Sequence, residues 1–541
     1  MSMTRERIYL FDTTLRDGQQ TPGIDFNVED KIAIAQMLDE FGLDYVEGGY
    51  PGANPTDTAF FERKRTSAAK FVAFGMTKRA GISVSNDPGI AALNGSKSDA
   101  VCYVAKSWDL HVRVALGCTN EENLESISQS VEATAAAGKE PLVDCEHFFD
   151  GYKANPDYAL ACAKAAFEAG ARWIVLCDTN GGTQPHEIRE IVSTVIGSGI
   201  PGDHLGIHAH NDTEQAVANS LAAVDAGVRQ VQGTLNGIGE RCGNANLITL
   251  IGTLALKPAW AERFEIGVSA EKLEGLTRLS RWFDELLNRS PAPQAAYVGS
   301  SAFATKAGIH ASALIKDPTT YEHVEPEKVG NVRHIMVSDQ GGKSNFINEL
   351  HRRGIVVSKS DPRLDTLIAL VKEREAVGYA YEGADASFEL LARRTLGEVP
   401  DFFDVVSFRS LVERRHNAVG KVITVAEAVV KVNVDGEVRM SVAESSNGPV
   451  NALDMALRKD LGKYQAEIAD LELVDYKVRI LNGGTEAITR VLIESADASG
   501  MRWWTVGVSE NIIDASFEAL MDSITFKLLK NRGHAGLAAA E

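Results

Sequence analysis

A repeated alternation of short β-type segments and amphipathic helical segments fills the first 260 residues and restricts the folds open to this chain. Helical patterns such as VEDKIAIAQMLDEFG and EQAVANSLAAVDAG end on glycine, which readily adopts the left-handed conformation that stops a helix. The β-type segments lie at Ile8–Leu15, Asp44–Gly48, Lys70–Gly75, Ala100–Ala105, Pro141–Glu146, Trp173–Asp178, His204–His210 and Gln230–Leu235.

Eight strand–helix units in about 250 residues match a (β/α)₈ TIM barrel in both count and size. The alternative for such an alternation is an open, doubly wound sheet. That fold usually carries a glycine-rich phosphate-binding turn after its first strand. Here the first strand runs into DTTLRDGQQ instead. We therefore predict an α/β fold with a catalytic TIM barrel over residues 1–265.

The remainder of the chain has a different pattern and predicts two further regions. Residues 266–395 show helices with irregular joins, as expected of a helical subdomain or linker. Residues 396–541 contain an internal repeat, because VNALDMAL at 450–457 aligns with IDASFEAL at 513–520 and each follows β-type runs. This predicts a C-terminal α+β domain with two βββα repeats, which could serve dimerisation, effector binding or both.

The charge balance excludes two classes of partner. The chain has 55 basic and 74 acidic residues, for a formal charge of −19, and no local basic patch. Such a chain repels nucleic acid and anionic membranes, so we expect neither as a partner. It also lacks an apolar run of the roughly 18–20 residues that span a bilayer, a signal-peptide core and any C-x-x-C pair. We expect a cytoplasmic protein.

The ends of the predicted strands carry the side chains suited to chemistry, because active residues of TIM barrels gather there. His208 and His210 form an H-x-H on the seventh strand, and residues i and i+2 of a strand point to one face. With Asp17 after the first strand, two imidazoles and a carboxylate would form a divalent metal site. Asn244 could add an oxygen ligand. The alternative is a pair of strand histidines satisfied by hydrogen bonds. Mg²⁺, Mn²⁺ and Zn²⁺ all suit such a mixed site.

Three more side chains at the same rim are candidates for substrate binding or catalysis. Arg16 would place a fixed positive charge beside the cation, suited to a carboxylate, carbonyl oxygen or enolate. Its alternative is a structural ion pair with Glu47 or another acid at the rim. Glu146 could act as an acid or base, or simply form a salt bridge. Thr179 offers a hydroxyl to a carboxylate.

Three motifs together, DTTLRDGQQ, HAHND and NGIGERCGN, resemble the 2-isopropylmalate, homocitrate and citramalate synthase family. Members of this family are metal-dependent acyltransferases that join acetyl-CoA to a 2-oxo acid in a Claisen-type condensation. The similarity extends over essentially the whole chain, including GIHASAL and TYEHVEPEKVGN in the helical region. The resemblance assigns the divalent metal to Asp17, His208, His210 and Asn244.

The resemblance also implies roles for five residues around the metal. Arg16 would face the keto oxygen, and Thr179 would bind the carboxylate of the 2-oxo acid. Glu146 and His310 would take part in proton transfer, with Tyr321 nearby. His310 and Tyr321 depend on the resemblance alone, because no pattern in the residues themselves indicates them.

Branch-specific segments narrow the expected substrate. DFNVEDK, EGGYPGANPTD, KSWDLHV and CEHFFDGY resemble the citramalate-forming branch, which implies acetyl-CoA, pyruvate and water as substrates and (R)-citramalate and CoA as products, on a route to isoleucine. The C-terminal region resembles the family's regulatory domain, which implies a homodimer with an amino-acid effector, isoleucine for this branch.

Three alternatives stay open from the sequence. A 2-isopropylmalate synthase would take 2-oxoisovalerate in place of pyruvate, on a route to leucine. A lyase similar to HMG-CoA lyase would cleave a related bond, but such enzymes lack the duplicated C-terminal domain. A metal-bound amino-acid sensor would need no catalytic groups, whereas this chain has Arg16, Glu146 and His310.

Overall fold

The computed structural model describes residues 5–63, 67–335, 343–416, 418–481 and 487–538. The chain divides into two compact units. The first extends to Phe303 and includes His323–Arg333, and the second comprises Ala304–Glu322 and the chain from His334 onward. Across these described ranges, none of the helices combines the length and the apolar character that crossing a bilayer requires.

Eight parallel strands of the first unit close into a barrel in chain order, with the last strand pairing with the first. This confirms the predicted TIM barrel. The strands are β1 (Tyr9–Asp12), β2 (Tyr45–Gly49), β3 (Lys70–Met76), β4 (Ala100–Lys106), β5 (Glu140–Glu146), β6 (Trp173–Asp178), β7 (Leu205–Ala209) and β8 (Gln230–Gly233). The helices that follow them are α1 (Val28–Phe41), α2 (Pro55–Glu62), α3 (Pro88–Gly95), α4 (Asn120–Ala136), α5 (Pro156–Glu168), α6 (Pro185–Gly197), α7 (Ala216–Ala226) and α8 (Leu247–Leu256).

Three of the predicted strands are shorter than expected. The seventh spans Leu205–Ala209 rather than His204–His210, so His210 lies just beyond its end. The first was expected to reach Leu15 but ends at Asp12, because the Asp12 carboxylate accepts hydrogen bonds from the backbone N–H and the hydroxyl of Thr14 and turns the chain there. The last ends at Gly233 rather than Leu235. Helix boundaries follow local signals: Asn27 and Asp30 form a capping box at the start of α1, and Gly42 ends that helix with φ of 107°.

The barrel interior changes character along its axis. Toward the N-terminal ends of the strands it is filled by aromatic and aliphatic side chains, and the indole N–H of Trp173 donates to the hydroxyl of Tyr45 at 3.0 Å. Toward the C-terminal ends the inward positions become polar, as with Asp144 on β5 and Gln232 on β8, both buried. The strand period of two therefore aims polar side chains at one mouth of the barrel.

Helix α9 (Leu276–Leu286) follows the barrel within the first unit, and helices make up the early part of the second. Shorter helices of the first unit lie at Asp109–His111, Phe148–Ala154, Pro258–Ala261 and Ala270–Leu273. The second unit begins with α10 (Gly308–Lys316), α11 (Lys343–Arg352), α12 (Pro362–Ala376) and α13 (Asp385–Leu396).

Two antiparallel three-stranded sheets, each followed by a helix, form the C-terminal part of the second unit. This confirms the predicted pair of βββα repeats. The first repeat comprises β9 (Asp404–His416), β10 (Val422–Val434), β11 (Glu437–Ser445) and α14 (Pro449–Lys459). The second comprises β12 (Glu472–Ile480), β13 (Thr489–Ala496), β14 (Arg502–Ser509) and α15 (Ile512–Ala538). Both helices contribute to one apolar core with the sheets.

Candidate active site

The residues singled out at the predicted strand ends converge at the C-terminal mouth of the barrel. One cavity of about 270 Å³ there is lined by six of them, namely Arg16, Asp17, Glu146, Thr179, His208 and His210. They come from four separate strand ends, and the closed barrel brings them together because parallel strands end at the same face.

Three side-chain atoms of the kinds that bind metal ions lie close together in this cavity. The Asp17 Oδ2 atom lies 3.1 Å from His208 Nε2 and 3.8 Å from His210 Nε2, and the two Nε2 atoms lie 3.3 Å apart. Backbone bridging places Asn244 beside His210, and its Oδ1 atom is buried with no hydrogen-bond partner in the described part of the chain. These four side chains are all buried.

The electrostatics of this cluster suit a cation. Burial raises the pKa of Asp17, but Arg16 and the hydrogen bond with His208 outweigh it and hold this pKa well below the usual range. Burial and the neighbouring His208 lower the pKa of His210 to about 3, so this imidazole is neutral, as a metal ligand must be. Burial lowers the pKa of His208, yet contact with the Asp17 carboxylate raises it overall. The negative charge that attracts that proton would equally attract a metal ion.

Arg16 combines the two roles considered for it. Its Nε–H donates to Glu47 Oε2 at 2.7 Å, so the expected alternative of a Glu47 ion pair is present. The guanidinium carbon lies 3.9 Å from the centre of the Phe74 ring, and Nη1 lies 3.9 Å from Asp17 Oδ2. Glu47 and Phe74 thus hold the guanidinium in place while Arg16 lines the cavity.

Glu146 and Thr179 also have structural partners at the rim. Lys106 forms an ion pair with Glu146, and both side chains line the cavity. The Thr179 hydroxyl oxygen accepts a hydrogen bond of 2.8 Å from the backbone N–H of His147, a residue with φ of 56°. Because its oxygen accepts there, the hydroxyl proton of Thr179 is left to donate to a ligand.

His310 and Tyr321 lie in the second unit, outside the barrel. His310 is on α10, Tyr321 follows that helix, and their rings stack with centroids 4.3 Å apart. Both side chains are exposed. Their assignment to proton transfer stays a prediction.

Two buried residues that the sequence did not indicate complete the surroundings of the site. Gln232 Oε1 lies 2.8 Å from His208 Nδ1, and the amide Nε2 of Gln232 donates to Asp144 Oδ1 at 3.1 Å. The strand period offered a signal, because Asp144 precedes Glu146 by two positions and shares its inward face. A lone glutamine within a strand carries no comparable signal.

Comparison with known proteins matches three successive segments of the chain. Residues 7–275 match the HMGL-like family, residues 297–376 the homocitrate synthase post-HMGL domain-like family, and residues 382–528 the LeuA allosteric (dimerisation) domain. The three matches follow one another along the chain in the order of the barrel, the intermediate region and the duplicated C-terminal domain.

Several curated relatives match nearly the full length of the chain. An (R)-citramalate synthase of Aquifex aeolicus strain VF5 is 49% identical, over 97% of this chain and 98% of that protein. One from Geobacter sulfurreducens is 50% identical over 97% and 98%. A probable 2-isopropylmalate synthase of Methanopyrus kandleri is more distant, at 34% identity over 96% and 98%. The resemblance found in the sequence is thereby confirmed.

Proposed function

Because the chain belongs to the family of (R)-citramalate synthases and 2-isopropylmalate synthases, we propose that it condenses acetyl-CoA with pyruvate and water, forming (R)-citramalate and free CoA. The observation that carries the proposal is the cavity at the barrel mouth, in which a metal-binding cluster, a fixed guanidinium, a carboxylate and a hydroxyl meet. The reaction needs one group of each kind. The expected cytoplasmic location stays a prediction.

The residues present fit a divalent metal ion. Asp17, His208 and His210 direct three acceptor atoms at one point, and Asn244 has a buried oxygen with no hydrogen-bond partner among the described residues. These are mixed oxygen and nitrogen donors, compatible with Mg²⁺, Mn²⁺ or Zn²⁺. A bound ion would polarise the keto group of the 2-oxo acid and offset the charge that develops on its oxygen.

The chain's own side chains would bind and orient the 2-oxo acid. The Thr179 hydroxyl, with its proton free to donate, suits the carboxylate of the substrate. Arg16 presents a positive charge that Glu47 and Phe74 prevent from moving, which suits the keto oxygen as it becomes an alkoxide. A preorganised charge of this kind is worth more than a mobile one because no reorganisation accompanies the reaction.

Carbon–carbon bond formation requires loss of a proton from the methyl group of acetyl-CoA. Glu146, one of the carboxylates that line the cavity, and His310 are our candidates for that proton transfer, as the family resemblance implies. The methyl carbon then attacks the keto carbon of pyruvate, and the keto oxygen gains a proton to become the hydroxyl of the product. Water cleaves the thioester, and CoA leaves as the free thiol, which makes the overall reaction irreversible.

A thiol-release assay with acetyl-CoA and a panel of 2-oxo acids tests this proposal. We expect pyruvate to give a higher kcat/KM than 2-oxoisovalerate, with (R)-citramalate identified by chiral chromatography. Equal or reversed ratios would assign the chain to 2-isopropylmalate synthesis. No release of CoA with any 2-oxo acid would favour the sensor, and cleavage of an acyl-CoA without condensation would favour the lyase.

The second unit supports a regulatory role for a homodimer. Residues 382–528 match a domain described as allosteric and dimerising. The helix-free face of the first sheet exposes Val438, Met440 and Val442, the last of which lies opposite Val429 in the ladder. Exposed apolar side chains grouped on one sheet face indicate a surface that another chain covers. We propose that two copies pair through these sheets and bind isoleucine as effector.

Titration calorimetry of isoleucine into the full-length dimer tests the effector, with leucine and valine as controls. An effector acts on the barrel only through different affinities for two arrangements of the protein. We expect heat from isoleucine alone and a matching loss of activity. Binding of none of the three would contradict the regulatory proposal while leaving the catalytic one intact.

A further inference from the structure

We propose that Asp144 and Gln232 are positioning residues that select which ring nitrogen His208 presents to the metal. The three side chains form one chain of contacts: His208 Nδ1 lies 2.8 Å from Gln232 Oε1, and Gln232 Nε2 lies 3.1 Å from Asp144 Oδ1. All three are buried, with exposed fractions of 5% for His208, 0% for Gln232 and 4% for Asp144. This inference depends on the proposed function only in that it requires the metal site.

The direction of each hydrogen bond follows from Asp144. A carboxylate can only accept, so the amide nitrogen of Gln232 must face it. The amide oxygen of Gln232 therefore faces His208, and because that oxygen also can only accept, the proton of the imidazole must sit on Nδ1. A neutral imidazole carries one proton, so Nε2 is left with its lone pair.

The lone pair selected in this way lies at the metal-binding cluster. His208 Nε2 is the atom 3.1 Å from Asp17 Oδ2 and 3.3 Å from His210 Nε2. Without Gln232, a proton on Nε2 could bond to Asp17, and metal binding would first have to displace it. In the neutral ring, the Asp144–Gln232 pair removes that competition, and it also fixes the plane of the ring. Partners of this kind behind a metal ligand change metal affinity by about 10–100-fold.

The neighbouring Gln230 provides a matched control within the same strand. It precedes Gln232 by two positions, so both side chains point into the barrel. Gln230 is fully buried, and in the described part of the chain neither atom of its amide group has a hydrogen-bond partner. Removing its amide thus changes barrel packing as much as the change at Gln232, without touching the contact with His208.

The experiment measures Mn²⁺ dissociation constants of the full-length, metal-free protein by calorimetry, without substrates. We expect Gln232→Leu to weaken Mn²⁺ binding by about 10–100-fold and Gln230→Leu to leave it within about twofold of the parent. Asp144→Asn should weaken binding by less, because an amide no longer dictates which way Gln232 faces. Equal affinities for Gln232→Leu and the parent, or equal losses for Gln232→Leu and Gln230→Leu, would overturn the proposal.

Nuclear magnetic resonance tests the same point by reading the tautomer of His208 directly. Long-range ¹H–¹⁵N spectra of ¹⁵N-histidine protein distinguish the two neutral tautomers, and His208→Ala identifies the signal. At a pH high enough for the ring to be neutral, we expect the Nδ1–H form in the parent and the Nε2–H form in Gln232→Leu, whereas a purely structural role would leave the tautomer unchanged. An Nε2–H form in the metal-free parent would overturn the proposal. Absence of citramalate formation beside intact metal binding would contradict the proposed function alone.

Discussion

The barrel mouth and the first C-terminal sheet depart from the usual burial pattern in opposite ways: the mouth buries polar side chains, and the sheet exposes apolar ones. The barrel buries Asp17, His208 and His210 against one another, although burial of polar and charged groups is unfavourable unless they are paired. The first C-terminal sheet exposes Met440 and Val438, about 60% accessible each, although apolar groups are favoured inside. Our proposals account for each departure: a cation at the buried polar cluster and a second chain on the exposed apolar face.

This difference predicts that the two regions can be damaged independently. Changes at the mouth should remove metal binding and chemistry while assembly persists. Changes on the exposed sheet face should alter assembly while the metal cluster persists. Variants that violate this separation would show that the two regions depend on one another.

The largest effect is expected from loss of an imidazole at the mouth. His208→Ala or His210→Ala removes one of the four proposed metal ligands, and we expect loss of bound metal and at least a roughly 10³-fold fall in kcat/KM. Elemental analysis, thiol release and sedimentation measure metal, activity and dimer together. His186→Ala, at an exposed histidine on α6, is the control and should match the parent. Full metal content in both ligand variants would contradict the assignment.

A smaller loss of activity is expected when the positive charge of Arg16 is kept but the guanidinium group is replaced. Arg16→Lys keeps the charge but replaces the planar guanidinium by a single ammonium nitrogen, which cannot occupy both the Nε position beside Glu47 and the Nη positions at the cavity. We expect kcat to fall by about 10²–10³-fold with metal content unchanged. Loss of metal in this variant would show that Arg16 organises the metal cluster instead of the substrate.

The fold and most of the barrel candidates could be predicted because both depend on short-range patterns. Period-two strands ending in polar residues place His208 and His210 on one face, and barrel closure then brings Asp17 beside them. The contacts behind these ligands could not be predicted in the same way. Gln232 reaches His208 across two neighbouring strands, and Asp144 lies 88 positions away in sequence from the amide that it orients.

The end of the first strand shows a second limit. A β-type run predicts a strand as far as Leu15, yet the Asp12 carboxylate captures the N–H and hydroxyl of Thr14 and ends the strand early. This capture turns the chain so that Arg16 and Asp17 lie at the mouth. A side chain and the strand ladder here compete for one backbone donor. The hydrophobic pattern of the sequence does not show which of them forms the hydrogen bond.

Assembly should respond to a charge placed on the exposed sheet face. Val442→Asp puts a carboxylate opposite Val429, and we expect the dimer dissociation constant to rise by about 10–100-fold because desolvating a charge at an apolar interface is costly. Sedimentation velocity measures the dissociation constant, and elemental analysis should find the metal content unchanged. Val356→Asp, at a valine that is 86% exposed outside both sheets, is the control. An unchanged dimer in Val442→Asp would place the interface elsewhere.

The smallest effect is expected from an ion pair that distinguishes the two βββα repeats. Lys527 on α15 donates to Asp497 at 2.7 Å and to Asp470 at 3.1 Å, and so ties the helix of the second repeat to the chain segments beside its sheet. Burial alone would raise the pKa of Asp497, but Lys527 and the hydroxyl of Ser499 outweigh burial and lower this pKa to about 2. The first repeat has an exposed counterpart, the pair of Lys463 with Asp435.

The sign of the pH dependence follows from the lowered pKa of Asp497. A carboxyl group with a lower pKa in the folded state than in the unfolded state stabilises the fold fully above about pH 4, and this stabilisation is lost as the pH falls toward 2. We expect Lys527→Met to lower the free energy of unfolding by about 1 kcal/mol at pH 7, since water screens part of the interaction. The difference from the parent should shrink between pH 4 and pH 2.

Urea unfolding followed by tryptophan fluorescence measures the free energy of unfolding, because Trp503 and Trp504 lie on β14 of the same repeat. Lys463→Met should leave the urea midpoint unchanged at every pH, and a pH-independent loss in Lys527→Met would show that the lysine stabilises the helix by packing and not by charge.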